Sequence, residues 1–168
     1  MFARRQVVLL DTNVVIEAHR TGCWTALAGY FALHTVETVI EETQTGSQNR
    51  DQSDNIDLLA LRQSLAQVYE VSETERAVFS LAHPQAVLDP GELDLLIYAG
   101  TLKPGEVWFL NSPDKAAVRH AYQRQWLDRM VSLEDMVRHL KLKPVSLRAN
   151  YTSQWLSTFK TDLLLGKV

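Results

Sequence analysis

Five acidic residues of this chain fall where an α/β fold would gather them. Asp11 closes the apolar run VVLL. Glu41 sits in an early helical stretch, with Glu42 beside it. Glu92 and Asp94 open a mid-chain helical stretch, and Asp114 follows a second apolar run, VWFL, at a helix start. A bare carboxylate at the end of a dry strand is costly unless something cationic meets it. Carboxylates that converge in one crevice repel one another and stay ionised together only when divalent cations lie between them. All-oxygen donors without clustered His or Cys point to Mg²⁺ or Mn²⁺. Such sites typically act on phosphate esters. One ion activates a water for in-line attack, and a second, roughly 4 Å away, stabilises the leaving oxygen.

The elements that must position these acids can be read in order. The unbroken run VVLLD reads as a central parallel strand buried on both faces, with Asp11 at its carboxyl end, where open α/β sheets place their ligand crevice. Residues 13–31 read as a helix weakened by Gly22 and Gly29. Residues 31–34 read as a second strand, and Thr35 as the N-cap of a helix over VETVIEET, with Val36, Val39 and Ile40 facing the core. Residues 55–67 form an amphipathic helix and VYEV a short strand. Ser72 with Glu75 is a capping box for a helix to about His83. Asp89 or Pro90 begins the helix that carries Glu92 and Asp94. VWFL is the next strong strand, and Ser112 as N-cap with Pro113 at the first helical position starts the helix after it. LDRMV reads as a short strand, and Ser132 with Asp135 caps a helix to about Leu140. The last helix runs over residues 150–164, with Tyr151, Trp155, Phe159 and Leu163 recurring every four residues until Gly166 stops it. Its aromatic stripe is either a packed face or an association surface. Strands and helices that alternate in this way predict a parallel sheet covered by helices on both faces.

Composition bounds the answer. The chain has 168 residues, 46% of them apolar, which suits one domain with a small appendage. Its net charge of −3 argues against coating nucleic acid by charge alone, but not against an enzyme that brings nucleic acid to metal ions. Cys23 is the single cysteine, which excludes a disulfide framework and fits a reducing, cytoplasmic setting. No apolar run reaches membrane-spanning length, so no membrane partner is expected. The five histidines do not cluster. The stretch over residues 43–57 holds a single aliphatic residue, Ile56, and reads as an exposed loop, either a surface insertion or a substrate-contacting flap.

The order and spacing of four short motifs, VVLLDTNVV, TVETVIEET, GELDLLIYAG and WFLNSPDKAA, resemble the PIN-domain ribonucleases over roughly residues 5–140. That resemblance implies a Rossmann-like α/β/α sandwich with a central parallel sheet, here as a domain over residues 1–145 followed by a C-terminal helical extension over residues 146–168. It implies a Mg²⁺- or Mn²⁺-dependent endoribonuclease acting on single-stranded RNA. Many members are toxins of bacterial toxin–antitoxin pairs, so the resemblance admits an antitoxin protein and a homodimer among the partners. Carried over by motif, Asp11 resembles the family's first acid and Glu41 the helix acid, with Glu42 as its alternate. Asp94 resembles the third acid, Glu92 the extra acid of a subfamily, and Asp114 the fourth. Metal ligation then falls to Asp11, Asp94, Asp114 and Glu92. Substrate positioning falls to Asn13, Ser112, Lys115 and Arg119. The tail beyond about Leu142 is extra relative to many members, and basic residues near the pocket are sparse.

Two further readings compete. One is a protein of the same fold that binds RNA or a partner without turnover. The other is an aspartyl-phosphate phosphatase with Asp11 as nucleophile. That chemistry, familiar in the haloacid-dehalogenase-like family, wants a second aspartate two residues on, where this chain has Asn13. A simpler role for Asp114 is an acid in a first helical turn, favourable to the helix dipole.

Overall fold

Val8, Leu9 and Leu10 have no exposed surface, so the first strand has no wet face. The cause is pairing on both sides. Strand β1 (Val7–Leu10) lies parallel to β2 (Ala32–Val36) on one edge and parallel to β4 (Trp108–Asn111) on the other, and β3 (Gln67–Tyr69) extends the sheet beyond β2. The order is β3-β2-β1-β4, all parallel. Helices fill the crossovers: α1 (Thr12–Arg20) and α2 (Trp24–Tyr30), α3 (Glu37–Thr45) and α4 (Leu58–Ser64), α5 (Glu73–Ala82) and α6 (Pro90–Thr101). Beyond β4 come α7 (Lys115–Gln123), α8 (Leu133–His139) and α9 (Ser153–Leu164). This is the Rossmann-like α/β/α arrangement that the alternating pattern predicts. The computed structural model describes residues 2–45, 55–143 and 146–168, and most of the polar stretch expected as a loop or flap lies outside the described residues.

Local chemistry sets the boundaries. The helix expected over residues 13–31 divides because Gly22 adopts a left-handed φ of 71° and ends α1, with Cys23 N–H returning to the Ala18 carbonyl. Thr35 belongs to β2 rather than capping α3. Its hydroxyl donates to the Leu10 carbonyl at 2.8 Å and ties the ends of β1 and β2 together. The Ser72–Glu75 and Ser132–Asp135 capping boxes form as expected. LDRMV is not a strand. Residues 127–129 make a 3₁₀ turn, and Met130 forms a single parallel bridge to Leu110. Val131 N–H donates to Leu110 O at 3.0 Å, and the Lys160 ammonium donates to Met130 O at 2.7 Å, which closes the outer edge of β4.

The C-terminal segment packs on the domain. Tyr151, Leu156, Phe159 and Leu163 join the common core, and α9 contacts α7 and α8. The aromatic stripe is therefore mostly a packed face, with Trp155 half-buried beside Phe159. A buried acid anchors this segment. Glu17 is fully buried on α1, where Arg20 meets it through two hydrogen bonds of 2.6 and 2.8 Å. The Arg148 backbone N–H donates to Glu17 at 2.9 Å, and Arg20 also reaches the Ser146 carbonyl. These partners hold the Glu17 carboxyl below its usual range against the cost of burial. Among the described residues no helix is long and apolar enough to cross a membrane. Removing one partner of a buried pair costs about 3 kcal/mol or more. Glu17→Gln is therefore expected to destabilise the fold by about 3 kcal/mol in urea denaturation. It should also hasten proteolytic clipping within the segment that holds Arg148. Unchanged stability and unchanged clipping would remove Glu17 as the anchor.

Candidate active site

The chain runs β1, β2, β3 outward in one direction and then returns to place β4 on the other side of β1. The carboxyl ends of β1 and β4 therefore flank the switch point, where open α/β sheets bind ligands. Asp11 follows β1 and Asp114 lies shortly after β4. Leu10 is in register with Asn111, and Asp11 N–H donates to Asn111 O at 3.2 Å. Asp11 is the N-cap of α1, and its carboxylate accepts from Thr12 N–H at 2.6 Å. Ser112 bridges the two strand ends. Its hydroxyl donates to Asp11 Oδ2 at 3.2 Å and accepts from Asp114 N–H at 3.2 Å. The N-cap of α7 is accordingly Asp114, whose side chain accepts from Ala116 N–H, and not Ser112 as the Ser-Pro pair predicts.

Of the two glutamates weighed for the helix acid, Glu42 lies close enough to Asp11 for its charge to be felt there. Because Thr35 and Val36 complete β2, α3 begins at Glu37, and Glu41 points to solvent. Glu42 turns inward. One carboxylate oxygen accepts from Gly91 N–H at 2.9 Å and the other from the Thr12 hydroxyl. Asp89, the N-cap of α6, makes no side-chain capping bond, so Glu42 supplies the acceptor that the first turn of α6 needs. The absence of a side chain at Gly91 leaves room for this approach, since a Cβ there would lie 2.5 Å from a Glu42 carboxylate oxygen and push the carboxylate aside.

Glu92 and Asp94 separate. Two residues apart on α6, they project about 200° from each other. Glu92, 6% exposed, faces the charges of Asp11 and Asp114. Asp94, 1% exposed, turns to α5 and α3, where Arg76 grips it with bonds of 2.8 and 2.7 Å and the Thr38 hydroxyl donates to it. Asp11 feels Glu42 and Asp114, and Glu92 feels Asp11, Asp114 and Asp89. Asp94 is neutralised by an arginine instead.

Electrostatics marks the cluster. Burial raises the Asp11 carboxyl to about 7, helped by Glu42 and Asp114 and opposed by the Thr12 and Ser112 hydrogen bonds. Burial raises Glu92 to about 8, with the charges of Asp11 and Asp114 adding to it. Tyr151, from the C-terminal segment, is buried near Glu17 and Asp11 and rises to about 12. Of the residues expected to position substrate, Asn13 is exposed on the first turn of α1. Lys115 and Arg119 are exposed on α7, each 5.4 Å from the centre of the Phe159 ring of α9. The sequence reading missed Thr12, Gly91 and Phe159. Glycine immediately before Glu92 was a signal for close approach at a helix start, whereas Phe159 had no local signal because its contact is long-range.

The donor chemistry is that of a hard divalent cation: carboxylates at a switch point, with no histidine or cysteine among them. Among the described residues, however, no group of three or more His, Cys, Asp or Glu side chains is close enough to form a ready ion cage. No family model and no curated protein matches the chain.

Two tests follow. Asp11 and Glu92 titrate higher in the fold than in the unfolded chain, so the fold holds the extra protons and loses stability as pH rises through 7 and 8. His19, His34 and His120, all pushed down by burial, act oppositely, and their contribution fades as pH rises past the ordinary histidine value of 6.5. The melting temperature of metal-free protein is therefore expected to fall between pH 6.5 and about 8.5, and Asp11→Asn should flatten that slope. A slope that Asp11→Asn leaves intact would remove Asp11 as its origin. The second test is a double-mutant cycle. Gly91→Ala should cost about 1.5–3 kcal/mol by displacing a charge-assisted hydrogen bond, and the cost should vanish in a Glu42→Ala background.

Proposed function

We propose that this chain is a metal-dependent endoribonuclease of the PIN-like kind, hydrolysing phosphodiester bonds of single-stranded RNA. The observation that carries the reading is the meeting of Asp11, Glu92 and Asp114 at the sheet's switch point, where burial and mutual repulsion raise Asp11 to about 7 and Glu92 to about 8. Asp11, Glu92 and Asp114 would hold Mg²⁺ or Mn²⁺, with Glu42 in the helix-acid role. Such a cation, when bound, neutralises the acids and supplies electrophilic assistance to the phosphodiester. Ser112 and the Thr12 N–H fix the Asp11 carboxylate by hydrogen bonding, so it need not reorganise when charge develops nearby. Glu42 is fixed in the same sense by Gly91 N–H and the Thr12 hydroxyl. Lys115 and Arg119, on the helix that Asp114 caps, supply positive charge for the RNA backbone.

The second reading, an RNA- or partner-binding protein without turnover, is favoured by the internal satisfaction of Glu42 and Asp94 and by the absence of a ready cage among the described residues. Cleavage of a fluorogenic single-stranded RNA with Mn²⁺ separates the two. Asp11→Asn and Glu92→Gln should each lower the rate by about 100-fold or more, and Glu41→Gln should leave it unchanged. Asp11→Asn should not lower the melting temperature at pH 8. Asp94→Asn should cost about 3 kcal/mol of stability, because it strips a buried carboxylate from Arg76. RNA binding without metal-dependent cleavage in the wild type would establish the second reading.

A further inference from the structure

One turn and more along α6 from the acids, helices α5, α6 and α7 form an open cavity of about 360 Å³. That volume lies within the roughly 300–1,000 Å³ of small-molecule sites. Four rings line part of it. Phe79, His83 and His120 form a mutually touching group with ring centroids 4.6, 4.8 and 5.1 Å apart, and Trp126 stands 6.3 Å from His120. Ile97 of α6 adds aliphatic surface. One buried polar atom at this cavity lacks a partner among the described residues, and one exposed cation stands beside it. His120 is 3% exposed, yet its Nδ1 has no hydrogen-bond partner among the described residues, which is unusual for a buried polar atom. Arg124 holds its guanidinium 4.7 Å above the Trp126 ring, at the cavity, and pairs with no carboxylate among the described residues. The acid at the rim, Glu75, is instead held by Ser72 and by the Tyr69 hydroxyl.

We propose that this cavity binds a small planar aromatic carboxylate, its ring against Phe79, His83 and Trp126 and its carboxylate on the Arg124 guanidinium. The mostly apolar lining with one cation suits a ring bearing a single anionic group. The several charges of a nucleotide's phosphates would need more than the one arginine in this lining, and Glu75 at the rim would repel them. The site shares no residue with the acidic cluster and does not depend on the nuclease reading.

The test uses the whole chain with 8-anilinonaphthalene-1-sulfonate as reporter, and with indole-3-acetate and its neutral counterpart 3-methylindole as competitors. The expected result is saturable one-site fluorescence, with indole-3-acetate displacing the reporter at about tenfold lower concentration than 3-methylindole. Arg124→Gln, a change at an exposed side chain, should erase that difference. Gly100 is an exposed residue of the cavity lining, where an added Cβ would meet only the Arg124 guanidinium, at 3.9 Å, so Gly100→Leu adds bulk beside that guanidinium with better helix propensity. It should weaken the reporter about tenfold without lowering the melting temperature. Asp11→Asn should bind both competitors like the wild type. A reporter signal that does not saturate, equal displacement by the two indoles, or wild-type affinity in Gly100→Leu would each overturn the proposal.

Discussion

A carboxylate that is 2% exposed at the end of a dry strand must find every partner within its own chain, and the geometry around Asp11 follows from that need. Thr12 turns its N–H back to the carboxylate, which makes Asp11 the N-cap of α1. Ser112 lends its hydroxyl, which fixes the exit of β4 and places Asp114 at the start of α7. Thr12 then uses its own hydroxyl on Glu42, and Glu42 reaches across to the first turn of α6, which carries Glu92. The start of each of these helices is thereby set relative to one buried acid. Satisfaction is incomplete, because the hydrogen bonds lower Asp11 less than burial and its neighbours raise it. A residual imbalance of this kind is what a bound cation relieves.

The layers of the fold were legible because β1 and β4 are short apolar runs and the helices between them carry period and caps. The two capping boxes were readable to the residue, since the Ser-x-x-acid spacing is itself the interaction. Boundaries failed where a long-range contact overrode a local preference. Thr35 has the chemistry of a cap, but pairing beside β1 keeps it in the strand, and the start of α3 moves to Glu37. Of the two adjacent glutamates on that helix, Glu42 reaches Gly91 and Thr12 while Glu41 is exposed.

The acids of α6 show the same limit more sharply. Glu92 and Asp94 look interchangeable in the string GELD, and the apolar residues after Asp94 favour it as the functional one. Arg76 reaches Asp94 from a different helix, and an arginine making two bonds turns that acid into a joint between α5 and α6. Lys115 and Arg119 are likewise claimed from a distance. Both sit over Phe159, and such contacts restrain long side chains that would otherwise sample many rotamers. The C-terminal helix thus pre-arranges positive charge beside Asp114.

The sheet's margin beyond β4 also constrains how copies of this chain can meet. An exposed strand edge is an open template on which a neighbouring molecule can add a strand. Here the Val131 N–H occupies the Leu110 carbonyl and an ammonium group occupies that of Met130, and a half-buried lysine at a strand margin is a poor welcome for another backbone. Growth of the sheet from that side into a ribbon or fibril is blocked by the protein's own tail, and association across it is left to side-chain surfaces on the helices.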